Sequence, residues 1–318
     1  FHNASRSFDD GGMQLPNLLS RACFAHFQSA NIGTSSYPML TMGASHLIEV
    51  FGSDEQKARW LRPSIAGELI TAWGLTEPDA GSDVRAIRTT VRADGDEFVL
   101  NGRKTFITNG PIAGVVGVVA KQAEDRFAVF MVEADDAGYS VERTLSKLGC
   151  RSSQVGELVF ENVRLDASRR LSPPEGSSID AILDVLIRGR VLIAAASLGV
   201  AGAAFDLGLQ YAKERKAFGR PIGKFQEISM KFAEADARIA AARLLTYRAA
   251  VLCDSSEVVP VRECAQAKLM ASETALWVVA WTRLPPHAER AVAAGWCQCV
   301  RLPPRHTLPP HPRIPKLT

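Results

Sequence analysis

The sequence has little of what marks several common functional classes. Its formal net charge is only +3, from 37 Lys and Arg against 34 Asp and Glu in 318 residues. The basic residues are spread out, with no Lys/Arg run and no zinc-finger spacing, which argues against a nucleic-acid partner. The six cysteines are scattered. Cys297 and Cys299 form a C-x-C, but no second pair or nearby His completes a ligand set, so no metal is expected. Such sparse cysteine fits a reduced, intracellular protein. No G-x-G-x-x-G follows a strand-like run, so no Rossmann-type turn is predicted. No apolar run reaches the ~18–20 residues of a membrane span. The nearest, residues 191–200, is short and Ala/Gly-rich between Arg190 and Asp206, and reads as a buried core helix. The chain starts at Phe1 and shows no signal peptide.

What is present is a large apolar share, 47%, enough for about two to three domains at ~150 residues each. Residues 1–74 read as helical. Residues 15–28 carry apolar side chains at helical spacing, and Ser53-Asp-Glu-Gln56 is a capping box. From 75 to 171 the pattern is β. Asp94-Gly95 and Asn101-Gly102, set between short β-prone runs, both predict tight turns. A Ser172-Pro-Pro-Glu-Gly176 breaker follows. Helix then resumes over 178–279, as one long helix to Ala217 stopped by Pro221, a second over 225–252 and a third over 260–279. Residues 280–318 form a Pro-rich tail without helical period, expected to pack poorly.

Two stretches stand out chemically. Leu75-Thr-Glu-Pro-Asp-Ala-Gly-Ser-Asp83 is a loop of small hydroxyl and Gly residues that lets backbone N–H groups approach a polar ligand. Arg103-Lys-Thr-Phe-Ile-Thr-Asn-Gly110 offers an aromatic stacking face with a hydroxyl beside it. A third, Glu214-Arg-Lys-Ala-Phe-Gly-Arg220, follows later. In this order and spacing the three resemble the acyl-CoA dehydrogenase family, over roughly residues 15–279. The resemblance implies an α+β fold, with an α-helical N-terminal segment, a middle β-barrel and an α-helical C-terminal bundle. It implies FAD, an acyl-CoA substrate, an acceptor such as an electron-transfer flavoprotein, and a homodimer or homotetramer. It also implies a bacterial cytoplasmic or mitochondrial matrix location.

By the same resemblance Trp73, Leu75, Thr76, Ser82, Phe106, Ile107 and Thr108 line the flavin, with Ser82 also touching substrate. The competing account is that Thr76 and Ser82 only satisfy turn backbone and that Phe106 and Thr108 are ordinary barrel residues. Arg215 and Phe218, three apart and expected on one helix face, together with Gln226, would reach a neighbouring protomer's FAD. Arg suits the pyrophosphate because its planar fork is always charged. Arg190 would touch substrate, or else be a structural arginine in an apolar helix.

Family chemistry removes the substrate α-proton with a Glu carboxylate while the β-hydrogen leaves as hydride. That Glu stands in a C-terminal Tyr-Glu-Gly-Thr motif or, in some relatives, immediately before the arginine matched by Arg190. The first motif is not found, and the second position is Gly189. The catalytic residue is therefore unassigned. The chain is expected to be truncated at its N-terminus, and the tail from about Ala280 not to be the family's own sequence.

Overall fold

The computed structural model describes residues 4–123, 126–171 and 179–282. The Ser172–Gly176 breaker, the C-x-C and the expected tail lie outside them, save residues 280–282: these were expected in the tail but continue the last helix, Val261–Thr282, with Thr282 buried. The N-terminal part is helical: α1 (Asn17–Ala30), α2 (Ile32–Phe51), α3 (Asp54–Gln56), a π-helical turn at Lys57–Leu61, and α4 (Arg62–Ala66). Asn31 caps α2 by accepting from the Thr34 N–H. The Ser53–Gln56 capping box forms in both directions. Gln56 then spends its amide on Ser168 and Arg170 carbonyls, both at 2.7 Å, and so clamps the helices to the sheet. Gly67, at φ +84°, ends the run in the left-handed conformation that glycine adopts without strain.

Strands follow: β1 (Thr71–Gly74), β2 (Thr90–Asp94), β3 (Glu97–Thr108), β4 (Val115–Ala123), β5 (Arg126–Glu133), β6 (Tyr139–Thr144), β7 (Val155–Asp166) and β8 (Arg170–Leu171). Their order is β6-β7-β3-β2-β4-β5-β8, with β1 paired to β4. β1 lies inside the span expected to be helical. Four residues are too few to show a period, and only the parallel pairing with 115–118 makes them a strand.

The Asp94-Gly95 turn forms, with Asp94 opposite Glu97. Asn101-Gly102 does not turn: β3 continues through it with a register shift against β7. Gly102 sits at φ +155°, where a Cβ would come within 2.7 Å of the Thr89 backbone. Asn101 and Asn162 meanwhile bond each other across the strands. A glycine needed for close approach thus mimicked a turn signal.

β4 and β5 are buried on both faces. Val116, Val118, Ala120, Ala128, Phe130 and Val132 point into the sheet's own core. Val115, Val119, Phe127, Val129 and Met131 meet Leu47, Ile48, Trp60 and Leu61 from the helices, and Ile182 and Val185 from the next segment. That explains their unbroken apolar sequence.

The C-terminal part holds α5 (Ile179–Glu214), α6 (Gln226–Ser255) and α7 (Val261–Thr282), with a two-stranded hairpin, β9 (Lys216–Ala217) and β10 (Arg220–Pro221), between α5 and α6. Small residues let the helices close up: Ala194, Ala242, Ala249, Ala267 and Ala271 are fully buried together. At Gly199 an added Cβ would lie 2.1 Å from the Ala25 carbonyl of α1. Residues 182–214 are long and apolar enough to cross a membrane by composition, yet 67% of their apolar 18-residue stretch is buried inside the protein, as expected of a core helix.

Candidate active site

β1 delivers Trp73, half-buried against the core shared by helices and sheet, and then the chain leaves the strand. Three contacts bind the loop that follows to β3. The Leu75 carbonyl accepts from Lys104 Nζ at 3.1 Å. The Thr76 carbonyl accepts from the Thr105 N–H at 2.9 Å. The Glu77 carboxylate takes Lys104 Nζ at 2.7 Å and also the N–H groups of Arg88 and Thr89, at 2.6 and 3.0 Å. Glu77 and Ala80 close the turn by exchanging backbone bonds of 3.0 and 3.2 Å. Ser82 follows, exposed.

Lys104 is wholly buried in this junction. Burial pushes its pKa down to about 8, and attraction to Glu77 offsets part of that. Burial alone would raise Glu77. Its attraction to Lys104 and the bonds it accepts outweigh that and hold it below the usual carboxylate value. Both residues lie inside the recognised motifs but had no assigned role. The signal was there: a cation and a carboxylate interrupting apolar β-prone stretches demand partners when buried.

β3 breaks register between Lys104 and Ile107. There Phe106 adopts φ +58° and is 51% exposed. A bulky residue in that region stores on the order of 1–3 kcal/mol and persists only when its surroundings impose it. The kink sends Ile107 into the sheet's core and leaves Thr108 half-buried. Asn109, also at positive φ, donates to the Tyr37 carbonyl at 3.0 Å, tying the strand end to α2. The structure therefore joins Leu75 and Thr76 to the strand that carries Phe106, Ile107 and Thr108.

The remaining expected residues lie elsewhere. Arg190 is exposed on α5, beside Gly189. Arg215 and Phe218 do not share a helix face, because α5 ends at Glu214. Arg215 leads into the hairpin, and Phe218 is in its turn, where Phe218 and Gly219 sit at φ +50° and +79°. Ala217-Phe-Gly-Arg220 closes as a two-residue turn with both central residues left-handed, and this overrides the helical period. Phe218 is 95% exposed. Gln226 opens α6, exposed.

Sequence reasoning also missed a cavity of about 190 Å³ between α1, α2, α5 and α6, lined among others by Arg6, Arg21, His46, Glu49, Arg188 and Gly189. Arg6 precedes α1, Arg21 lies on α1, His46 and Glu49 on α2, and Arg188 and Gly189 on α5, so no linear motif gathers them.

Residues 7–68, 72–163 and 179–282 match, in turn, the N-terminal, middle and C-terminal domains of the family described as acyl-CoA dehydrogenase. The butyryl-CoA dehydrogenase of Megasphaera elsdenii superposes with a TM-score of 0.88 at 30% identity, over 93% of this chain and 80% of that one. The chain belongs to the acyl-CoA dehydrogenase family. A glutaryl-CoA dehydrogenase of Mycobacterium smegmatis, solved in complex with FADH2, has a TM-score of 0.87 at 28% identity, covering 93% of this chain and 78% of that chain. Among curated relatives, the 3-(aryl)acrylate reductase of Clostridium sporogenes is 39% identical over 248 residues, 77% of this chain and 65% of the relative. The chain thus spans a little under two thirds of that relative's length.

Proposed function

We propose that the protein binds FAD at the junction of the 75–83 loop and β3, and there oxidises the α,β carbon–carbon bond of an acyl-CoA thioester. The observation that carries this is the bonding of the two family motifs into one unit through Lys104, Glu77, Thr76 and Thr105. The residues present fit a flavin. Phe106 offers an exposed aromatic ring. Thr76 and Thr108 offer half-buried hydroxyl-bearing side chains. The Trp73 indole N–H is buried without a protein partner. When bound, FAD supplies the hydride acceptor.

The chain's own residues hold and orient. Leu75, Thr76, Phe106, Ile107 and Thr108 would bound the ring system, and Ser82 would contact both cofactor and substrate. Arg215, Phe218 and Gln226 would serve the neighbouring protomer's FAD in a homodimer or homotetramer. The near-complete exposure of Phe218 at a hairpin tip supports that outward role. An electron-transfer flavoprotein or similar acceptor would reoxidise the enzyme.

A second account, a catalytically weak FAD- and CoA-binding homologue, is favoured by one specific fact. Gly189, where some relatives carry the α-proton base, has no carboxylate. Its would-be Cβ meets nothing within 4 Å, so a side chain fits there. Purifying the protein and recording its visible spectrum tests the cofactor assignment. Flavin absorbance that Lys104→Met or Phe106→Ala weakens is expected, and a colourless protein after FAD addition would defeat it.

A further inference from the structure

The cavity beside α5 is cationic in a way its packing does not require. Arg6, Arg21 and Arg188 line it, with Glu49 as the lining carboxylate. Arg6 donates to Glu49 and, at 3.1 Å, to the Met42 carbonyl, while its Nε is buried without a partner. His46 adds no fixed charge, because burial lowers its pKa, with Glu49 only partly opposing. Arg188 donates to the Cys253 carbonyl at 2.7 Å, a neutral acceptor.

Arg21 is the least satisfied. Its Nη2 reaches Asn17 Oδ1 at 2.8 Å, and its Nη1 is buried with no acceptor. Asp254 stands nearby but gives its oxygens to the backbone and side-chain amides of Asn17, at 2.7 and 2.5 Å. Burial, and then repulsion from Arg6, drag Arg21 down to about 10, with attraction to Cys253 and Asp254 opposing only in part. Among the described residues no carboxylate bonds this guanidinium directly, Asp254 and Cys253 acting on it only through space, and a carboxylate, which it can bind through paired N–H groups, is the complementary group.

Gly189 connects this cavity to the proposed chemistry: it lines the wall and directly precedes Arg190 on α5. We propose that the cavity is an acyl-end subsite that selects a short acyl chain ending in a carboxylate, held by Arg21 with Arg6 and Arg188 around it. This rests on the acyl-CoA reading above. The volume of about 190 Å³ suits a short chain, since pockets for larger ligands run from ~300 Å³ upward.

The test is calorimetric titration of the FAD-loaded protein with two thioesters of equal carbon number, glutaryl-CoA and valeryl-CoA. Glutaryl-CoA is expected to bind tighter by on the order of tenfold to a hundredfold, the range of a charge-assisted hydrogen bond. In Arg21→Met that ratio should fall towards one, and Arg21→Lys should keep an intermediate preference. Circular dichroism and a thermal melt check that both variants fold. Equal affinities in the parent protein, or tighter valeryl-CoA, would overturn the carboxylate subsite while leaving the acyl-CoA reading intact. Binding of neither ester would overturn both.

Discussion

At the loop–strand junction Lys104 and Glu77 face each other, and every charge has a partner. In the cavity beside α5 three arginines surround one glutamate, and a guanidinium N–H of Arg21 is buried with nothing to accept it. Both are charged clusters in a largely apolar molecule, but they do different work. The first is closed: its cation and anion come from two motifs, and pairing them fixes the loop on the strand. The second is open, and its excess positive charge is what the proposed carboxylate would balance. A buried charge that is fully paired is thus structural evidence, whereas one left over points to what binds.

The largest effect should come from breaking the closed pair. Glu77→Ala leaves Lys104 buried without its anion and unpins the Arg88 and Thr89 N–H groups. A loss of about 3–5 kcal/mol is expected in denaturant unfolding, by the rule for removing one partner of a buried pair. A loss under 1 kcal/mol would mean the junction is solvated. Next comes a packing control away from both clusters. Gly199→Ala forces a methyl towards the Ala25 carbonyl, 2.1 Å from the ideal Cβ position. It should cost about 1–3 kcal/mol, read as a lowered Tm.

Acid should weaken the closed pair, and with it the Arg6–Glu49 pair of the cavity. Glu77 titrates below its ordinary 4.5, so its stabilising contribution is complete above that value and is lost as pH falls through the folded pKa. Glu49 and Glu133 are lowered in the same direction, although burial alone would raise each: bonds from His46 and Arg6 lower Glu49, and bonds from Trp60 and Arg59 lower Glu133. The Tm is expected to hold from neutrality down to about pH 5 and to drop below 4.5, less steeply in Glu77→Gln. The smallest effect belongs to the open cluster. Arg21→Met removes an unpaired buried cation and should change stability by less than about 1 kcal/mol, with stabilisation the expected sign.

Much of the architecture was legible in the sequence because it is written locally. The Ser53–Gln56 capping box, the Asp94-Gly95 turn and the small residues of α5 each act through near neighbours or one helix face, and each formed. What was not legible depended on distant contacts. Thr71–Gly74 is a strand only because β4 lies beside it. Asn101-Gly102 looks like a turn until the Thr89 backbone is seen against Gly102. Arg215 and Phe218 have helical spacing, but the helix ends before Arg215 and a two-residue turn claims Phe218. At the site, the motifs singled out loop and strand, while the Lys104–Glu77 pairing that joins them and the four-element arginine cavity needed the fold.

The most direct measurement is the loss of flavin absorbance when the purified, flavin-containing protein is mixed anaerobically with acyl-CoA, compared with Gly189→Glu. The proposed flavin site has, among the residues matched by resemblance, no carboxylate to take the α-proton, since that position is Gly189. A positioned base contributes about 10²–10⁴-fold. The parent protein should bind the thioester, seen as a shifted flavin spectrum, and bleach slowly. Gly189→Glu, placed where a side chain meets nothing within 4 Å, should bleach faster. Rapid bleaching of the parent, unchanged or slowed by Gly189→Glu, would contradict the account by revealing a base elsewhere in the chain.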